Sequence, residues 1–438
     1  MSAAPTTRPA AEPGVRAAMV AVFVTFLISG VTFASWASRL PAVRDALDLR
    51  PNELGILLLV GAGGSLVALP LSGLVVQRIG ARLAVAVFAA SNVGGLLVAA
   101  TAVELGSLVL AGVGLIFFGI GAGVWDAAMN IEGAAVEQRL GKSVMPRFHA
   151  GFSVGTIAGA GIGAAAAWAG LPVITHLAVV LLISLAGVLW AVRAFLPAGT
   201  HDAAADGHDA GGAPRRSAFA AWREPRTLLI GVVVLAAALT EGAANDWVAL
   251  AVVDGFGTSN AVGAVAFAVF VTAMTGMRLL GTALLDRWGR VRVLRLAAGL
   301  SLVGLLVFGL VDSLPVAMLG IVAWGMGAAL GFPVGMSAAS DDPRQAAARV
   351  AVVSTIGYSA FLAGPPLLGL LAEQVGYRQS LLAITVPVLV GLLVMKAAAP
   401  LPTADTGAGT GPAPTEPVTD PFASPAVEPG AVPGPDGR

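Results

Sequence analysis

Acid and amide side chains recur four residues apart in segments that otherwise carry no charge. Asp126 and Asn130 form one such pair and Glu241 and Asn245 another, with Asp246 directly after it. Residues four apart share a helix face, so each pair presents a carboxyl and an amide side by side. In an apolar segment such a set can take up and release a proton and can hydrogen-bond a polar solute. Glu241 is the best candidate for proton coupling, because helical rise sets it roughly 21 Å along its segment, with Asp246 nearer the outer surface. The same rise sets Asp126 roughly 31 Å from Leu105, where an inner cavity or a solvated helix end would meet it. His149 opens another apolar stretch and changes charge near neutral pH, which suits a proton shuttle, a solute contact or a plain helix start. Arg278 lies deep in a further stretch and is expected to pair with an acid, or to line the same cavity. Trp36, Trp125 and Trp247 stand beside polar residues, where their rings can stack on a sugar or anchor at the membrane interface. His176 reads as structural.

Other chemistry finds no residues to carry it. The chain has no cysteine, which removes disulfides, thiolate metal sites and cysteine nucleophiles. His201 and His208, each followed by Asp, lack a second ligand cluster and read as a solvated linker, so no metal is expected. No phosphate loop and no nucleophile elbow occurs, which argues against an enzyme, an ATP-driven pump or a bound cofactor. With 25 basic and 25 acidic residues the net charge is zero, and nothing marks a nucleic-acid partner.

The elements that must hold these groups are membrane helices. Of 438 residues, 57% are hydrophobic and 11% charged, beyond the roughly 45–50% apolar share of soluble domains. Crossing a bilayer takes roughly 20 apolar residues. Charge-free stretches such as 17–38, 54–77, 83–103 and 313–340 supply them, and 148–192 is long enough to cross twice around Gly170-Leu171-Pro172. The spacing predicts twelve transmembrane helices in an all-α polytopic protein. With both termini cytoplasmic, only Arg39, Arg44, Arg50 and Arg378 fall in outer loops, as the preference of basic residues for the inner side of a plasma membrane requires. The expected organisation is a disordered cytoplasmic tail (1–14), two six-helix bundles (15–195 and 226–398), a polar cytoplasmic linker between them (196–225) and a disordered proline-rich tail (399–438). A single chain embedded in lipid is expected to suffice.

The two bundles repeat each other. Leu54-Gly55 precedes Gly73 as Val262-Gly263 precedes Gly281, and Gln77-Arg78-Ile79-Gly80 matches Asp286-Arg287-Trp288-Gly289. GIGAGVWDAAMN (119–130) aligns with GMGAALGFPVGM (325–336), and Ser35-Trp36 with Asp246-Trp247. The order is the same in both, so the repeat is parallel, an arrangement that places a solute site between the halves.

In Gly73, Gln77, Arg78, Gly80 and Arg82, and more fully in Asp286, Arg287, Gly289 and Arg290, the chain resembles the major facilitator superfamily, whose signature is G-x-x-x-D-R-x-G-R-R/K. Gln77 replaces the signature Asp in the first copy and Thr282 the leading Gly in the second. FASWASRLPAVRDAL (33–47), WDAAMNIEGAAVEQRLG (125–141), FHAGFSVGTIAGA (148–160) and GPPLLGLLAE (364–373) are similar to a bacterial branch of fucose-permease-like sugar permeases. The resemblance implies a secondary active transporter of a small polar organic solute that works by alternating access, with protons as the expected coupling ion. The alternatives are a proton-antiporting exporter of an amphipathic metabolite or antibiotic, and a membrane sensor. Asp286, beside its arginines at a helix end, is expected to pair with an Arg across the interface and act as a gate.

Overall fold

A computed structural model of the chain describes residues 13–140, 144–197, 218–342 and 345–401. The N-terminal tail to residue 12, the middle of the linker with His201 and His208, and the tail beyond 401 lie outside the described residues.

Eleven helices among the described residues are long and apolar enough to cross a membrane. One of them, Pro51–Glu104, has 54 residues. At 1.5 Å per residue that is about 80 Å, against roughly 30 Å of hydrocarbon. Gly80 turns the chain inside it with φ 78° and ψ 156°, a conformation that costs a residue without Cβ little. It is therefore two spans, and the described residues supply twelve crossings. Span one is Pro13–Ala37, followed by a short helix, Leu40–Ala46. Spans two and three are 51–79 and 81–104, span four Leu108–Leu140, span five Met145–Trp168 and span six Val173–Ala191. Span seven is Pro225–Phe256, span eight Asn260–Trp288 and span nine Arg290–Leu310. Span ten comes in two pieces, Leu314–Ala328 and Gly331–Ala339. Span eleven is Ala346–Val375, and span twelve runs over Tyr377–Ala398. The protein is an all-α, multi-pass membrane protein of two pseudo-symmetric six-helix halves.

The repeat read from the sequence is visible in the backbone. Gly289, the mate of Gly80, turns the chain between spans eight and nine with φ 75° and ψ 158°. Asp48, before span two, holds φ 50° where Gly257, before span eight, holds φ 61°.

Glycine sets how closely the spans pack. A Cβ on Gly155 would lie 1.9 Å from the Leu27 carbonyl oxygen, and one on Gly119 2.0 Å from that of Gly61. Spans one and five, and two and four, thus meet backbone to backbone, which compensates for the missing hydrophobic drive between helices in lipid. The ends of the expected linker belong to the bundles. Leu196 is buried and its N–H donates to Glu132 Oε1 at 2.7 Å, while Glu224 accepts from Arg349 Nε at 2.7 Å.

Candidate functional site

The two halves close on each other at one end. A Cβ on Gly55 would stand 2.6 Å from the Pro365 carbonyl oxygen, and one on Gly369 2.6 Å from that of Pro51, so spans two and eleven touch there through their backbones. Arg44 pairs with Asp254 and lies over the Tyr377 ring, 5.4 Å from its centroid. Asn260 reaches Asp45 at 3.3 Å. Among the described residues these are the side-chain hydrogen bonds that join the halves, and both lie at this end. Near the opposite end Asp126 and His149 are exposed.

Below the closed end lie two cavities, each walled by both halves. The larger, about 330 Å³, is faced by Phe33 and Trp36 of span one, Ser65 of span two, Phe118 of span four, Asp246 of span seven, and Tyr358 and Phe361 of span eleven. The smaller, about 110 Å³, is faced by Phe33, by Phe152, Ser153 and Thr156 of span five, by Glu241 and Asn245 of span seven, and by Arg278 of span eight. Phe33 faces both and is their shared wall.

In the smaller cavity Arg278 Nη2 donates to Glu241 Oε2 at 2.8 Å, and its Nε donates to the Ala329 carbonyl at 3.2 Å. The second bond follows from the break in span ten. Pro333 has no N–H to give to the carbonyl four residues before it, which is that of Ala329, and at membrane depth a carbonyl without a donor is costly. The arginine supplies the missing donor while neutralising the glutamate. Across the interface His149 is within electrostatic reach of Arg278 and packs edge-on against Phe26 at 5.1 Å.

Asp246 follows Glu241 and Asn245 on span seven but belongs to the other cavity. It faces the larger cavity and has no hydrogen-bond or ion-pair partner among the described residues. Asp126 is not among the residues lining either cavity. Asn130 Nδ2 donates to its backbone oxygen at 2.8 Å and to its Oδ1 at 3.4 Å. The tryptophans divide: Trp36 faces the larger cavity, whereas Trp125 and Trp247 are buried in helix packing, the latter 5.6 Å from Tyr377. Wedged into packing, those two rings present no face to a solute in this conformation.

The signature loops also differ from expectation. Gln77, Arg78, Arg82, Asp286 and Arg287 are exposed and have no partner among the described residues, so Asp286 forms no cross-interface pair here. Gly73 has open space around it. Arg290 instead binds both oxygens of Asp341 at 3.0 Å, and Arg226 binds Asp341 at 2.8 Å. The same two arginines hold the Ala398 and Ala399 carbonyls at the end of span twelve, at 3.3 and 2.9 Å. Asp341 was not singled out in the sequence. Its signal was an acid just beyond a broken span, facing two arginines at helix starts.

The sequence profile of the Major Facilitator Superfamily matches residues 18–360 and 230–427. An uncharacterized transporter, y4wD of Sinorhizobium fredii, is 32% identical over 384 residues, covering 83% of this chain and 96% of its own. Among solved structures, the nucleoside transporter NupG overlays with a TM-score of 0.67 at 15% identity, over 88% of this chain and 99% of its own. A variant of the E. coli fucose:proton symporter FucP overlays with a TM-score of 0.60 at 14% identity, over 87% and 98%. At these identities the structural likeness is one of fold.

Proposed function

From the premise that this chain belongs to the major facilitator superfamily and is a membrane transporter, not an enzyme, we propose that it is a proton-coupled secondary transporter of a small organic solute. The halves rock about a site divided by Phe33. The larger cavity takes the solute, and the smaller one, with the Glu241–Arg278 pair, takes the proton. The observation that carries this reading is that both cavities are walled by both halves and share one side chain, so occupancy of either bears on the same interface. Protonation of Glu241 removes the partner of Arg278 and frees the arginine to turn toward His149, which couples the proton to the fit between spans five, seven and eight. On this reading the open end and both termini face the cytoplasm, the side to which the basic loops are assigned, and the Arg44–Asp254 end faces outward, in a monomer of the plasma membrane.

The lining favours a more amphipathic solute than a sugar. Phenyl, indole and phenol rings outnumber hydroxyl and amide groups in the larger cavity, and its volume sits at the low end of the roughly 300–1,000 Å³ usual for small-molecule sites.

The test uses proteoliposomes with an entrapped pH-sensitive dye and a panel of hexoses, amino acids and arylalkylamines. Wild type is expected to move protons with one solute class. Glu241→Gln is expected to lose that proton flux while still exchanging the same solute across the membrane. Proton flux retained in Glu241→Gln would remove Glu241 from the coupling role.

A further inference from the structure

The larger cavity contains an unusual pairing of groups. Its walls are aromatic on both sides of the interface: Phe33, Trp36 and Phe118 from one half, Tyr358 and Phe361 from the other. Its single carboxylate, Asp246, has no cation beside it among the residues that line the space. Arg278, on the neighbouring span eight, faces the other cavity and is already engaged by Glu241 and Ala329. A carboxylate at membrane depth is costly without a counter-charge, and the described residues place none against Asp246. Aromatic faces carry negative electrostatic potential and attract a cation lying over them within about 6 Å.

We propose that the larger cavity is a site for a small monovalent organic cation, an ammonium group on an apolar or aromatic body, with Asp246 as its counter-ion and the surrounding rings as its walls. This rests on the transport reading for the location of the solute and adds the class of solute. The ammonium supplies the charge that Asp246 lacks, and the body replaces water against Phe361 and Phe118. A neutral isostere keeps only the second contact, and an anion meets Asp246 with like charge. Tyr358 adds a hydroxyl that can accept from the ammonium without competing for its charge. The rings come from both halves, so a cation seated among them binds the two halves together and is felt at the interface that must move.

The experiment compares three molecules with one body and different heads: 2-phenylethylamine, 2-phenylethanol and phenylacetate. Binding to the full-length protein in detergent is read from displacement of labelled 2-phenylethylamine and from the thermal denaturation midpoint. The amine is expected to bind at least tenfold more tightly than the alcohol, and the acid more weakly still. In Asp246→Asn the amine's advantage is expected to fall below twofold while the alcohol's affinity is kept. Asp246→Glu, which retains the charge, is expected to retain the preference and guards against a variant that fails to fold. Equal binding of the three heads, or an amine preference that survives in Asp246→Asn, overturns the assignment. Counterflow of a neutral hexose with the amines inert overturns it too, while leaving transport intact. Amine binding that depends on Asp246, with no solute of any class moved in proteoliposomes, overturns the transport reading and leaves the cation site standing.

Discussion

The two halves share a topology but use different means of packing and charge. In the N-terminal half, spans one and five and spans two and four meet through glycine, backbone against backbone: Gly30 against Phe152, Gly119 against Gly61 and Gly155 against Leu27. Span four there is one continuous helix over 33 residues. In the C-terminal half, spans seven and eleven, the mates of one and five, meet through glycine against side chains, Gly242 on Phe361 and Gly357 on Val234, whereas Gly325, the mate of Gly119, still meets the Phe270 carbonyl oxygen. Span ten is broken at Ala329 and Leu330, ahead of Pro333, and arginines tie this region to acids and to free carbonyls. Glycine packing leaves little to adjust, because a backbone cannot change rotamer. Ion pairs and a broken helix have two arrangements available. The comparison assigns stiffness to the first half and switching to the second.

Substitutions can break this contrast at several strengths. The largest effect is expected from Gly155→Leu, whose side chain would start 1.9 Å from the Leu27 carbonyl oxygen. The loss should exceed the about 1–3 kcal/mol typical of overpacking, and yield of monodisperse protein should collapse. Gly161→Leu, with nothing within 4 Å, should leave yield unchanged. Next comes Arg278→Leu, which strands both Glu241 and the Ala329 carbonyl. Removing one partner of a buried pair costs about 3–5 kcal/mol, and the partial exposure of these side chains, 29% and 20%, puts the expected loss at the lower end. Glu241→Gln added to Arg278→Leu should restore part of the thermal midpoint, a coupling that a double-mutant cycle reads directly.

Asp341→Ala removes the acceptor shared by Arg226 and Arg290. Hydrogen bonds to charged groups contribute about 1.5–3 kcal/mol each, so the midpoint should fall by a few degrees without loss of solute binding. The smallest effect is expected at Gln77→Asp, which restores the family's acid to the first signature loop. Gln77 is exposed and unpartnered among the described residues, and stability should change by no more than about 0.5 kcal/mol. A large effect there would mean that the first loop switches as the second half does.

The architecture was legible because membrane spans announce themselves by length and apolarity, and because Gly80 and Gly289 recur at matching places. The span count required one more step, since 51–104 forms a single run of helix that only the turn at Gly80 divides. The site was legible in part. Glu241, Asn245 and Arg278 were picked out as ionisable or amide groups at depth, and they come together around one cavity. Counting rise gave Asp246 a height near the outer end of span seven but not the cavity it faces, because the other walls come from spans one, two, four and eleven. Trp125 and Trp247 were offered as stacking platforms because neighbouring polar residues cannot tell which side of a helix a ring takes. The contact between Arg278 and Ala329 was beyond reach, although Pro333 had already marked the carbonyl left without a donor. Reading it required knowing that spans eight and ten are adjacent.

The most direct test of the account is a pair of distance measurements across the interface. The chain has no cysteine, so spin labels report only from introduced sites. One pair, Arg50→Cys with Glu373→Cys, spans the end where Gly369 meets Pro51. The other, Gln77→Cys with Gln345→Cys, spans the opposite end. Pulsed electron paramagnetic resonance in nanodiscs would compare this protein with and without Glu241→Gln. Rocking halves predict that the substitution shifts the populations in opposite senses, one distance lengthening as the other shortens. Two distances that stay fixed, or that lengthen together, would contradict the account.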